Sequence, residues 1–256
     1  TSGIANGSET ISIVPAAGNS IYDAADNAAA TSQSNNTAAL NEKVVPIITG
    51  TTVNSANSQV TVTFAENVYN ATGSSSDLEV GDFALSISGG VATIGSVTPT
   101  SISKTSQSVW VLDFSTSVPA NGSETIAVVP AANNSIYDAA DNAATTSQSN
   151  NTSSLNDLAV PIITGMTVNS TNSELTVTFS ENVYSAISGS GDLEVGDFAL
   201  SILGGVATPV SATPTSIVKT SQTVWVLGFS TSVPANGTET ITVAPVSNSI
   251  YDGSDN

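Results

Sequence analysis

The chain has 256 residues, 39% of them hydrophobic, enough for two ordinary domains with packed cores. Its 21 acidic residues face only three lysines, Lys43, Lys104 and Lys219, with no arginine or histidine and a net charge of −18. That balance excludes nucleic acid and anionic membrane surfaces as partners, and the absence of cysteine and histidine excludes disulfides and the usual zinc or copper sites.

The chain is repetitive. Ser20-Ile21-Tyr22-Asp23-Ala24-Ala25-Asp26-Asn27 recurs from Ser135 to Asn142, and again, altered, from Ser249 to Asn256. Residues 46–130 and 161–245 are identical at about three quarters of their positions. Polar stretches ending at Val45-Pro46 and Val160-Pro161 mark the boundaries. Residues 1–45 read as the C-terminal part of one repeat, 46–160 as a complete repeat of about 115 residues, and 161–256 as a repeat without its last strand. No run of about 18 apolar residues is present to span a membrane.

In chain order, residues 8–14 and 28–40 read as the last two strands of the first partial repeat. Within the complete repeat, strands are expected near 46–53, 58–64, 82–88, 91–98, 108–114, 124–130 and 143–155. The signal is alternation with period two: Val60, Val62 and Phe64, then Phe83, Leu85 and Ile87, then Trp110, Leu112 and Phe114, then Ile126 and Val128. Asn121-Gly122 is a turn signal. Seven short strands without a helical period point to tandem immunoglobulin-like β-sandwiches, with a small barrel as the alternative. Phe64, Phe83, Leu85, Trp110, Leu112, Phe114, Ile126 and Val128 are the expected interior.

Strand order places the acids. The long loop after the second strand carries Glu66, Asn67, Asp77, Glu79 and Asp82. The loop before the last strand carries Asp138, Asp141 and Asn142, and the entering linker carries Glu42. In a sandwich of this type these segments share one end. The next repeat offers Asp157, Glu181, Asn182, Asp192, Asp197, Asp252 and Asp255. Crowded carboxylates repel one another, and a hard divalent cation relieves them. Calcium, with about six to eight oxygen ligands, suits a set of Asp, Glu and Asn. The competing expectation is that Asp and Asn only form local turns there. Calcium at the repeat junctions would raise the melting temperature and stiffen the angle between repeats.

The segments Val45-Pro-Ile-Ile-Thr-Gly50, Val60-Thr-Val-Thr-Phe64-Ala-Glu66-Asn67-Val68 and Asp138-Ala-Ala-Asp141-Asn142 resemble the bacterial immunoglobulin-like, cadherin-like repeats of large surface adhesins. Asp141 stands where that family usually has glycine. The resemblance implies an immunoglobulin-like fold, an extracellular cell-surface location and a spacer or adhesive role, and some relatives bind calcium at domain junctions.

A structural spacer or adhesive repeat, not an enzyme, is therefore expected. Nucleophilic triads lack their histidine or cysteine, and the tryptophans alternate as core. The second expectation is a carbohydrate- or partner-binding module, which needs an exposed aromatic patch. Partners are expected to be neighbouring repeats, copies of the chain in a head-to-tail array or filament, and surface glycans. In the filament reading, residues 28–40 run beside the strand at 239–245 of a neighbouring molecule.

Overall fold

The computed structural model describes residues 3–256, and every regular element except two short 3-10 turns is a β-strand. Backbone contacts divide the chain into two units, residues 1–118 with 123–156, and residues 119–122 with 157–256.

The first unit begins with β1 (Thr10–Ser12) and β2 (Thr37–Ala39), a short antiparallel pair whose residues are all exposed. Seven strands follow: β3 (Ile48–Val53), β4 (Gln59–Phe64), β5 (Phe83–Ser88), β6 (Ser101–Ser106), β7 (Val109–Asp113), β8 (Thr125–Pro130) and β9 (Thr152–Ser154). One antiparallel sheet has the order β3-β4-β7-β6 and the other β5-β8-β9, a β-sandwich and not a closed barrel.

The alternation read from the sequence decides which side chains face inward. Val60, Val62 and Phe64 on β4, Trp110 and Leu112 on β7, Phe83 and Leu85 on β5, and Ile126 and Val128 on β8 are buried, as is Phe114 just past β7. Phe64 of one sheet meets Phe83 of the other at 6.4 Å between ring centroids, a tilted contact across the sandwich. Trp110 is 2% exposed, and its indole N–H donates to the Gln107 carbonyl at 3.2 Å.

Two strand expectations are corrected. Residues 91–98 form no strand. Gly89 and Gly90 turn with positive φ, and Val91 and Val97 are largely exposed. The fourth strand is instead Ser101–Ser106, an edge strand with one half-buried apolar residue, Ile102, and with Lys104 on the same face, its ammonium 5.7 Å from the centroid of the Trp110 ring. The last strand is confined to Thr152–Ser154, where 143–155 was expected. The polar residues before it are held by side chains: the Ile48 N–H donates to Gln148 Oε1 at 2.8 Å and the Thr146 N–H to Asn133 Oδ1 at 2.9 Å.

β9 closes one flank. It pairs with β8, and the Ser153 hydroxyl donates to the Thr51 carbonyl of β3 at 2.7 Å, so one short strand links the edges of both sheets. Leu155, just beyond it, is 3% exposed.

The second unit repeats the elements as β10 (Ile163–Val168), β11 (Glu174–Phe179), β12 (Phe198–Leu203), β13 (Ser216–Lys219), β14 (Val224–Gly228) and β15 (Thr240–Pro245). Its sheets are β10-β11-β14-β13 and β12-β15. Trp225, Phe179, Phe198, Leu175, Leu200 and Leu227 build the same core. No further strand lies beside β15 among the described residues, and residues 3–45 stay with the first unit.

Candidate metal centre

Asp138 anchors the first site through the loop it organises. Its Oδ1 accepts the backbone N–H groups of Ala140 and Asn142, each at 2.8 Å, forming a tight local turn. The turn puts Asp141 at φ 65°, a left-handed conformation that Asp tolerates better than most residues. The sequence departs from glycine there without losing the turn. Asp23 and Asp252 hold the matching loops by the same bonds, to Ala25 and Asn27 and to Ser254 and Asn256.

With Oδ1 committed, Oδ2 of Asp138 accepts from Asn142 Nδ2 at 2.9 Å. Asn142 Nδ2 also donates to Glu42 Oε2 at 2.5 Å, tying the entering segment to the loop. Glu66 follows β4 and completes the group. Glu42, Glu66 and Asp138 each place a carboxylate oxygen within 4.8 Å of the other two, with Asp138 fully buried and the glutamates half-buried. Asp157, Glu181 and Asp252 repeat the arrangement, with Asp252 buried and Asn256 Nδ2 donating to the Asp157 carbonyl at 3.1 Å.

The ion pairs among the described residues are Lys104 with Asp77, at 2.6 Å, and Lys219 with Asp192, at 2.5 Å, outside both clusters. Partial burial, with Asp138 and then Glu42 as like-charged neighbours, pushes the Glu66 carboxyl up to about 7. Glu181 is raised too, first by burial and then by Asp157 and Asp252.

A calcium ion fits this donor set. Two oxygens on one Ca²⁺ can stand about 4.6–5.2 Å apart, twice the Ca–O distance, and the carboxylate spacing falls within that limit. Hard oxygen donors are the only kind the clusters offer.

The other candidate residues lie elsewhere. Asp141 Oδ1 accepts the Gly73 N–H at 2.5 Å, and Asp255 Oδ1 accepts that of Ser188, so both tie down the long loop. Asp82 and Asp197 accept the N–H groups of Glu79 and Glu194, each at 2.7 Å, capping 3-10 turns. Asp77 and Asp192 bind lysine, and Asn67 and Asn182 are exposed. Of the residues expected at each pole, one glutamate after the second strand, one aspartate before the last and one linker acid come together.

Glu124 has a structural role that sequence pattern did not reveal. It is fully buried, and its Oε1 accepts the N–H groups of Val91 and Ala92 at 2.6 and 2.8 Å. The signal was the Gly89-Gly90 pair: a Cβ on Gly90 would stand 2.1 Å from the Glu124 carboxylate. Glu239 binds Val206 and Ala207 likewise, and these N–H bonds hold its carboxyl down at about 2.

No family model matches the chain, and no curated protein matches it. A solved structure of FdeC, described as a broadly conserved Escherichia coli adhesin, is similar at 14% identity and a TM-score of 0.28, over 84% of this chain and 67% of that one. No described helix is long and apolar enough to cross a membrane.

Proposed function

We propose that the chain is a run of extracellular surface repeats, spacer or adhesive in role, in which calcium binds where each entering segment meets its sandwich. The observation that carries this is the recurrence of one three-carboxylate cluster, Glu42–Glu66–Asp138 and Asp157–Glu181–Asp252, built from the same three segments of the fold. A glutamate raised to about 7 by partial burial, and then by its acidic neighbours, is one that a bound cation would return to its ionised form. Binding would fasten the entering segment to two loops of the domain it precedes.

The turn formed by Asp138 engages both of its oxygens, Oδ1 through two backbone N–H groups and Oδ2 through Asn142 Nδ2, but it gives no role to Glu42 and Glu66, whose carboxylates gather beside it. Both tryptophans are buried and supply no aromatic platform for a glycan.

The test is thermal unfolding in calcium and in chelator near neutral pH. Calcium at a hundredfold excess over its Kd adds about 2.7 kcal/mol per site, so the melting temperature should rise with calcium concentration. Superimposable curves in calcium and chelator would remove the reading.

A further inference from the structure

We propose that the Asn-Gly turn leading into β1, β8 and β15 is a self-modification site, at which the asparagine converts to aspartate and isoaspartate without an enzyme. The turn recurs as Asn6-Gly7-Ser8-Glu9, Asn121-Gly122-Ser123-Glu124 and Asn236-Gly237-Thr238-Glu239. Its glycine stands at φ 84°, 77° and 91° in the three copies, a conformation glycine adopts at little cost. Glycine also has no side chain to shield its own amide nitrogen from the asparagine before it.

The chemistry is an internal displacement followed by hydrolysis. The glycine nitrogen attacks Cγ of the asparagine and loses its proton to solvent, while negative charge builds on Oδ1. The N–Cγ bond forms, the side-chain nitrogen leaves as ammonia, and a five-membered imide closes. Water then opens the imide at either carbonyl, leaving aspartate or isoaspartate. One water is taken up, one ammonia is released and one carboxylate is gained, with no change of oxidation state.

The fold places donors on the oxygen where that charge develops. Asn236 Oδ1 accepts the Thr238 N–H at 3.1 Å and the Thr238 hydroxyl at 2.7 Å. Asn6 Oδ1 accepts the Ser8 N–H at 3.0 Å and the Ser8 hydroxyl at 2.5 Å. Two preset donors on one oxygen are the arrangement that stabilises an oxyanion. The glutamate fixes the turn. Glu239 Oε2 accepts the N–H groups of Asn236 and Gly237, each at 3.0 Å, and Glu9 Oε2 accepts that of Asn6 at 3.0 Å.

Water reaches the turn. Asn6 and Gly7 are exposed, and in the complete repeat Gly122 is exposed and Asn121 half-buried. The turn also touches the acid-bearing linker. The Lys43 N–H donates to the Ala5 carbonyl and the Leu158 N–H to the Ala120 carbonyl, each at 2.8 Å. A Cβ on Gly7 or Gly122 would stand 3.2 Å from Cβ of Glu42 or Asp157. Isoaspartate carries the main chain through its Cβ, so conversion lengthens the turn and adds a carboxylate beside the linker acid. The modification therefore loosens the hold of the turn on the linker.

The purified full chain should be held in mildly alkaline buffer, in chelator so that the calcium reading plays no part. Peptide mapping by mass spectrometry follows each asparagine, and enzymatic methylation detects isoaspartate. Conversion is expected at the Asn-Gly turns ahead of every other asparagine. Thr238→Val keeps the side-chain shape and removes the hydroxyl donor, so it should slow Asn236 about fivefold, the rate equivalent of one hydrogen bond. Asn6 in the same molecule should convert at its parent rate, which controls for folding and conditions. In a synthetic peptide of residues 233–242, without the fold, the same substitution should leave the rate nearly unchanged. Asn-Gly turns that stay intact while other asparagines convert would overturn the proposal. So would a Thr238→Val chain that converts at the parent rate, or a peptide that responds to the substitution as strongly as the folded chain.

Discussion

At the scale of single residues, Glu66 carries the most specific consequence. Its folded carboxyl sits near 7, above the value of an unperturbed glutamate. The folded state therefore holds a proton that the unfolded state has lost between about pH 4.5 and 7. In chelator the contribution of this group to stability falls as pH rises through that window. Calcium reverses the trend, because it favours the ionised cluster. Melting temperatures measured at about pH 5 and pH 7.5 should show a small calcium effect at the lower pH and a large one at the higher. Glu66→Gln should flatten the pH dependence in chelator and remove much of the calcium response. A glutamine variant as responsive to calcium as the parent would place the ion elsewhere.

Two further residues test the packing. Trp110→Ala empties the centre of the first sandwich and should cost about 3–5 kcal/mol in chemical denaturation. Gly90→Ala should also destabilise, since its φ of +54° disfavours a side chain and the new Cβ would meet the Glu124 carboxylate. A Gly90→Ala protein as stable as the parent would contradict the tight glutamate cradle.

Among the elements, inward-facing strands were legible in the sequence and edge strands were not. Phe83 to Ile87 and Trp110 to Phe114 announce themselves because burial on one face imposes alternation. Ser101–Ser106 is hydrogen-bonded on one side only and exposes most of its residues, so no apolar pattern marks it. Its legible feature is Lys104, a charge of the kind that guards an edge. At 91–98, where a strand was expected, Val91 and Val97 are exposed instead of packed on one face. Of the site, the sequence revealed which loops carry acid. It could not show which carboxylates already had donors: Asp82, Asp141 and Asp77 are engaged by N–H groups and a lysine, while Glu66 is left to the cluster. β9 is the element whose small size hides its importance. Leu155→Ala should cost about 2–5 kcal/mol, and amide exchange should quicken in Thr125–Pro130 once that flank loosens. Unchanged protection there would mean that β9 does not seal the sandwich.

For the whole molecule, one small sandwich design recurs without disulfides, and both sandwiches carry a three-carboxylate cluster where the chain enters the domain. High identity between copies keeps the cluster intact while the long loop and the edge at residue 103 drift, Ser103 becoming Val218. The measurement that bears most directly on this is calorimetric titration of the chain with calcium near neutral pH. Two sites are expected, with proton release as the raised glutamates ionise. Glu66→Gln and Glu181→Gln should each remove one site, and the double variant both. No binding heat at either cluster, or a stoichiometry unchanged in the double variant, would contradict the account.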